Sequence, residues 1–287
     1  MIRLRALLGL FVAAPALAQN PQTAWDSVAQ ILQTAATPSP GYTRYNFPRR
    51  DITLKVRDVT VAPGVALGAW FGFAGTPGVS VVMGDLVLLG DELAPALDEL
   101  NKQGIGVTAI HNHVVGDPQV TYVHVHAEGG AIELARKLDK VLARTRTPRP
   151  VPMTTLAAQV TIDTALVFRM LGSQGRAQGA VAQLSFVLPS APVTMHGKAL
   201  VPVLAYGTPV NIQIVDASRY VATGDFSVLE GRVQPVITAL ASHGITATAL
   251  HSHLIGETPK VYYIHFWADG APAAVLAGLR AAIDAGR

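Results

Sequence analysis

The sequence predicts an α+β fold: two tandem copies of a helix plus antiparallel-sheet domain, each with a histidine-bearing β-hairpin, related by a pseudo-two-fold axis. Three observations predict it. Residues 84–113 recur at 224–253 with a constant offset of 140, and 11 of the 30 aligned positions are identical, which over that length means duplication. Alternating apolar runs, the pattern of half-buried strands, are interleaved with segments of helical period in an order that suits helices packed on antiparallel sheets. Each copy also carries a His-x-His pair followed by a third histidine.

Residues 23–35 and their counterpart 160–171 read as helices, and alternation marks strands at 52–60, 66–73 and 79–89. From Glu92 to Gln103, Leu93, Leu97 and Leu100 form one apolar stripe, and Gly104 supplies a residue able to end a helix in the left-handed conformation. Strands at 105–114 and 120–127 follow, joined across Gly116, Asp117 and Pro118, and a closing helix is expected at 130–142. The match runs on through this hairpin with one extra residue in the second copy, pairing Tyr122 with Tyr263 and His124 with His265.

The N-terminus reads as a secretory signal: Arg3 and Arg5, an apolar stretch from Leu7 to Ala14, then Ala16-Leu17-Ala18 as a cleavage site. A periplasmic or secreted product is therefore expected, with no membrane partner after cleavage. Removing those two arginines from a formal net charge of +3 leaves +1, which argues against nucleic acid as a partner. There are 0 cysteines, so thiolate metal sites and cysteine nucleophiles are excluded. The basic, proline-rich run from Arg144 to Pro150 sets the boundaries: signal 1–18, first repeat 19–143, linker 144–153, second repeat 154–287.

Six of the 9 histidines lie in the two motifs: His111, His113 and His124, then His251, His253 and His265. Side chains alternate along a strand, so His111 and His113 share a face. A loop over 116–119 pairs Val115 with Val120, which places His124 opposite His111 and Tyr122 opposite His113. The extra residue of the second copy falls in its loop, 256–260, and keeps His265 opposite His251. Three imidazoles on one face of each hairpin suit a metal ion, zinc first, with another divalent transition metal as the alternative. A hydrogen-bonded histidine ladder is the competing reading. His126 shares the face, but its counterpart is Trp267, which makes it a group supporting the ligands or an alternative ligand.

Other candidates carry two readings each. Asp85 and Asp225, which follow matched glycines, are a fourth ligand or general base, or, as preferred, turn residues bonding backbone amides. Arg49 is a clamp for a substrate carboxylate or, as preferred, an exposed arginine after proline. Tyr122 and Tyr263 are donors to a bound oxyanion or, as preferred, strand packing.

The runs HNHVVGDPQVTYVHVHAEG and HSHLIGETPKVYYIHFWADG, the two Gly-Asp turns and the Pro48–Asp51 segment resemble the LppY/LpqO-like family, exported bacterial proteins with a duplicated domain of unknown function. The resemblance covers about Asp26 to Asp284. This chain lacks that family's lipid-attachment cysteine, and Pro189-Ser190 replaces the Pro-Arg pair in the second copy. At motif level, His111, His113 and His124 are also similar in spacing to the zinc site of the acetolactate decarboxylase-like fold. Together these imply a metal-dependent hydrolase or lyase acting on a small carbonyl or ester substrate. The alternative is a non-catalytic metal-buffering or small-molecule-binding protein.

Overall fold

A computed structural model of the protein describes residues 21–150 and 162–287; the expected signal and part of the expected linker lie outside these. The first repeat runs α1 (Pro21–Leu32), β1 (Ala36–Ser39), β2 (Tyr42–Pro48), β3 (Lys55–Val56), β4 (Val59–Thr60), α2 (Pro63–Ala66), β5 (Gly68–Thr76), β6 (Val79–Leu89), α3 (Gly90–Gln103), β7 (Gly106–His111), β8 (Val120–Gly129) and α4 (Ala131–Leu142). The second runs α5 (Thr164–Leu171), β9 (Gly175–Gln178), β10 (Val181–Phe186), β11 (Thr194–Met195), β12 (Lys198–Ala199), α6 (Pro202–Ala205), β13 (Thr208–Asp216), β14 (Arg219–Leu229), α7 (Glu230–Ser242), β15 (Thr246–His251), β16 (Glu257–Thr258), β17 (Val261–Gly270) and α8 (Pro272–Ala285).

Each repeat builds one six-stranded antiparallel sheet with the same strand order, β1-β2-β5-β6-β8-β7 and β9-β10-β13-β14-β17-β15. Alternation divides each sheet into two faces. In the first, Phe71, Phe73, Val82, Leu86, Val123 and Val125 pack under α4 residues such as Leu134, Leu138 and Val141. The other face carries Met83, Asp85, Tyr122, His124 and His126, and it turns toward the other repeat.

The repeats interlock across those inner faces. Met83 and Tyr42 pack with Met195, Leu204, Ala205 and Leu254 of the second repeat, while Val221 and Trp267 join the core of the first. Polar contacts follow: Gln183 donates to the Gly64 carbonyl at 2.7 Å, Asn211 to that of Val65 at 2.9 Å, and Arg219 pairs with Asp58 at 2.6 Å.

Two expectations change. Residues 52–60 form no long strand: β3 and β4 make a two-stranded hairpin, and Lys55 bridges to Asp117. The β1–β2 hairpin is additional, its alternation hidden by Pro38, Pro40 and Gly41, with Gly41 at φ 83.

The Gly-Asp pairs have a steric origin. A Cβ on Gly84 would lie 2.2 Å from the Trp70 carbonyl oxygen, and one on Gly224 2.0 Å from that of Pro209. Neither neighbour is a movable side chain. Gly84→Ala is expected to destabilise the fold by about 2–3 kcal/mol through overpacking, read as an earlier midpoint in urea unfolding. An unchanged midpoint would mean the strands part freely there.

A histidine–carboxylate centre between the repeats

Strand register assembles the centre. Along one cross-strand row, Asn46 lies opposite Trp70, Trp70 opposite Asp85, Asp85 opposite His124, and His124 opposite Ala109. The second repeat matches it, with Asp225 opposite His265 and His265 opposite Ala249. In the next row His111 faces Tyr122, and His251 faces Tyr263.

That pairing corrects the sequence expectation, which put His124 opposite His111. The connection after β7 is longer than four residues, because β7 ends at His111 and β8 begins at Val120. His113 and His253 therefore sit in loops. The displacement is two residues in both repeats, an even number, so the shared face survives.

Because the two inner faces meet, all six motif histidines gather in one cluster rather than in two separate ones. His111 and His251 sit against each other with ring centroids 3.8 Å apart. Around them His113 is sandwiched between Tyr122 at 3.7 Å and His265 at 3.8 Å. The counterpart His253 is sandwiched between Tyr263 at 3.7 Å and His124 at 3.7 Å. Every histidine thus touches the opposite repeat. Ligand-capable atoms fall into three overlapping groups, each within 4.8 Å: His111, His113 and His124; His111, His251, His253 and His265; and His113, Asp225 and His265.

The chemistry of these atoms fits a cation. His111 Nε2, His113 Nε2, His124 Nε2, His253 Nε2 and His251 Nδ1 are buried without hydrogen-bond partners, as are Asp85 Oδ1 and Asp225 Oδ1. Buried polar atoms rarely go unsatisfied, and so many aimed into one space call for a shared partner. Asp85 Oδ1 lies 3.0 Å from His124 Nε2, yet neither atom is in hydrogen-bonding alignment with the other, as expected of neighbouring donors on one ion. Likewise His251 Nε2 and His265 Nε2 are 3.2 Å apart, near the ~3.3 Å edge of a tetrahedron with ~2.0–2.1 Å metal–nitrogen bonds. On the far side of His265, Nδ1 is hydrogen-bonded to the Gly224 carbonyl at 3.1 Å, which orients the ring, and Asp225 Oδ1 lies 2.6 Å from the same nitrogen.

Electrostatics agree. Burial holds two of the imidazoles neutral and ready to coordinate: His251 falls to about 4 and His111 to about 2, helped by neighbouring histidines. Burial likewise depresses His113, His124 and His253. Burial and then the charge of Asp225 push Asp85 well above the carboxylate range. Carboxylates and imidazoles facing one buried space make a site that could hold a metal ion.

The cluster forms the floor of a cleft of about 540 Å³ between the repeats, reached by His113, His124, His253, Asp85 and Asp225. His126 also lines it, one row beyond His124, but belongs to none of the ligand groups. Arg44, Trp70 and Arg176 line it too, and sequence reasoning passed over all three.

The remaining candidates sit elsewhere or are engaged. Arg49 is 0% exposed, not a surface group. Its guanidinium is taken up by Asp51 at 2.8 Å, Glu92 at 2.9 Å and the Val87 carbonyl, outside the cleft. Tyr122 donates its hydroxyl to the Ala66 carbonyl, and Tyr263 donates to that of Ala205 at 2.7 Å. Their rings support His113 and His253, and their hydroxyls pin α2 and α6. Asp85 and Asp225 are inward-facing strand residues rather than turn residues, which reverses the preferred reading.

No curated protein matches the chain at a significant level. A family model described as Domain of Unknown Function (DUF1259) matches residues 26–144 and again residues 165–285. Those two matches cover both sheets, both histidine motifs and both Gly-Asp pairs, so the chain belongs to that family, with one copy of the domain in each repeat.

Proposed function

We propose that the protein is an exported, metal-dependent hydrolase or lyase, with zinc held by the inter-repeat histidines and a small carbonyl or ester compound as substrate. The observation that carries this reading is the set of unpartnered buried imidazole nitrogens and Asp oxygens at the floor of an open cleft. A bound divalent ion there would supply Lewis acidity toward a carbonyl oxygen or a water molecule.

The chain's own residues divide the remaining work. The Gly224 carbonyl fixes the His265 ring through Nδ1, leaving Nε2 to point inward. Asp85, whose Oδ1 is buried without a partner 3.0 Å from His124 Nε2, would join the imidazoles in holding the ion as a carboxylate. Tyr122 and Tyr263 keep the loops that carry His113 and His253 closed over the centre. Export rests on the N-terminal charge and apolar pattern.

Elemental analysis of the purified protein tests this, together with hydrolysis of 4-nitrophenyl acetate before and after chelation. Stoichiometric zinc, lost in the His111→Ala/His251→Ala double variant, and turnover abolished by chelator are the expected results. Tightly held metal with no turnover on any small ester or keto acid would mean a metal-buffering protein. Absence of metal would remove the reading.

A further inference from the structure

Arg44 lies on β2, two strands from Asp85, and is half-buried in the cleft. Its guanidinium sits over the Trp70 ring at 4.0 Å, and Nε donates to Asn46 Oδ1 at 2.7 Å. Neither contact carries a charge, and Asp85 acts on the guanidinium electrostatically without forming an ion pair. Among the described residues no ion pair includes Arg44, whereas Arg49, Arg144, Arg146, Arg149, Arg219 and Arg280 are all paired with carboxylates. Arg176, on the facing β9 of the other repeat, adds a second positive charge to the same cleft.

An arginine withdrawn from water and stacked on an indole presents a planar fork of donors suited to a carboxylate. Its placement is directional. Trp70, the ring beneath it, lies opposite Asp85 on the neighbouring strand, and Asp85 lies 3.0 Å from His124. An anion on Arg44 would be held one indole away from the histidine floor.

The second repeat has no such group. Register puts Gln183 opposite Asn211 where Arg44 lies opposite Gly72, and Pro209 where Trp70 stands. Gln183 is used for the contact with Gly64. The cleft thus has a ring-stacked guanidinium on one side only of a nearly symmetric floor.

We infer that Arg44, stacked on Trp70, is a subsite for the carboxylate of a small organic acid, and that it fixes the acid so that a carbonyl or ester oxygen further along the molecule reaches the histidine floor. The inference deepens the proposed function and rests on it for the fate of that oxygen, but the anion subsite itself needs no metal.

Binding of levulinate, a small keto carboxylate, and of its methyl ester can be followed by calorimetry in chelator-stripped and in zinc-loaded protein. Levulinate is expected to bind more tightly than the ester in both forms. Arg44→Gln should weaken levulinate by about ten- to a hundredfold while leaving the ester and the zinc content unchanged. Arg44→Lys, which keeps the charge but not the fork, should fall between, and unfolding curves of both variants show that they fold. Equal affinity for levulinate and ester, or equal levulinate affinity in wild type and Arg44→Gln, would overturn the subsite. If levulinate discrimination persists in a protein that never takes up metal, the metal reading fails and the subsite stands.

Discussion

Replacing Glu92 with alanine is expected to cost about 3–5 kcal/mol of stability, since it leaves the charge of a fully buried arginine short of its one buried carboxylate partner. Arg49 is 0% exposed and Glu92 3%. Besides the ion pair at 2.9 Å, Glu92 accepts the Leu89 amide at 2.7 Å, capping α3, and the Arg146 amide at 2.6 Å. Asp51 remains beside Arg49 but is partly exposed, so it offsets only part of the loss. Changing both partners, as Arg49→Met with Glu92→Leu, should cost less than the two single changes summed, because no charge is then stranded. Urea unfolding of metal-free protein measures both effects. A Glu92→Ala loss below about 1 kcal/mol would mean that water reaches Arg49. The second repeat lacks the pair altogether: buried Leu188 and exposed Arg232 stand at the equivalent positions.

That pairing shows where sequence reasoning reached and where it stopped. The repeat offset located both copies of the domain, and strand parity put the histidines of each hairpin on one face. Parity survives a register change of two, so the face was legible while the opposite neighbour of His111 was not. The loop from Asn112 to Gln119 is held by Lys55, far away in sequence, and no local turn rule anticipates that anchor. Asp85 was misread as a turn residue for a similar reason: a Gly-Asp pair is the common mark of a turn, yet here glycine is demanded by the carbonyl of a neighbouring strand. Arg49 was misplaced and Arg44 was overlooked. The arginine next to proline looked exposed and is buried, while the one amid alternating strand residues faces the cleft. Above all, two sheets meeting face to face leave no trace in the sequence of either repeat. Each copy looks like a three-histidine site by itself, and only the interlocking of α2 and α6 across the pseudo-axis makes one centre of six.

Metal held by this centre should stay bound in acid that would strip an exposed histidine site. An imidazole in water takes up a proton near pH ~6.5 and is lost as a ligand below that. Here burial opposes the charged form, and each neighbouring histidine would add repulsion, so His251 resists protonation down to about 4 and His111 to about 2. Half the zinc should therefore still be present near pH ~5, measured by elemental analysis after equilibrium dialysis. The same depression has the opposite consequence for the metal-free fold. Above pH ~6.5 these imidazoles are neutral whether the chain is folded or not, and they impose no proton-linked cost. As the pH falls below that, the unfolded chain binds protons that the buried cluster refuses. Stability of the metal-free protein should then drop steadily from there through the folded value of about 4 for His251, and further toward about 2 for His111. Zinc should delay this decline, because it binds the folded cluster and not the protonated unfolded chain. Release of half the zinc at pH ~6.5, with a metal-free stability curve flat between ~6.5 and ~4, would mean that the six imidazoles open freely to solvent, against the stacking of His113 on His265 and of His124 on His253.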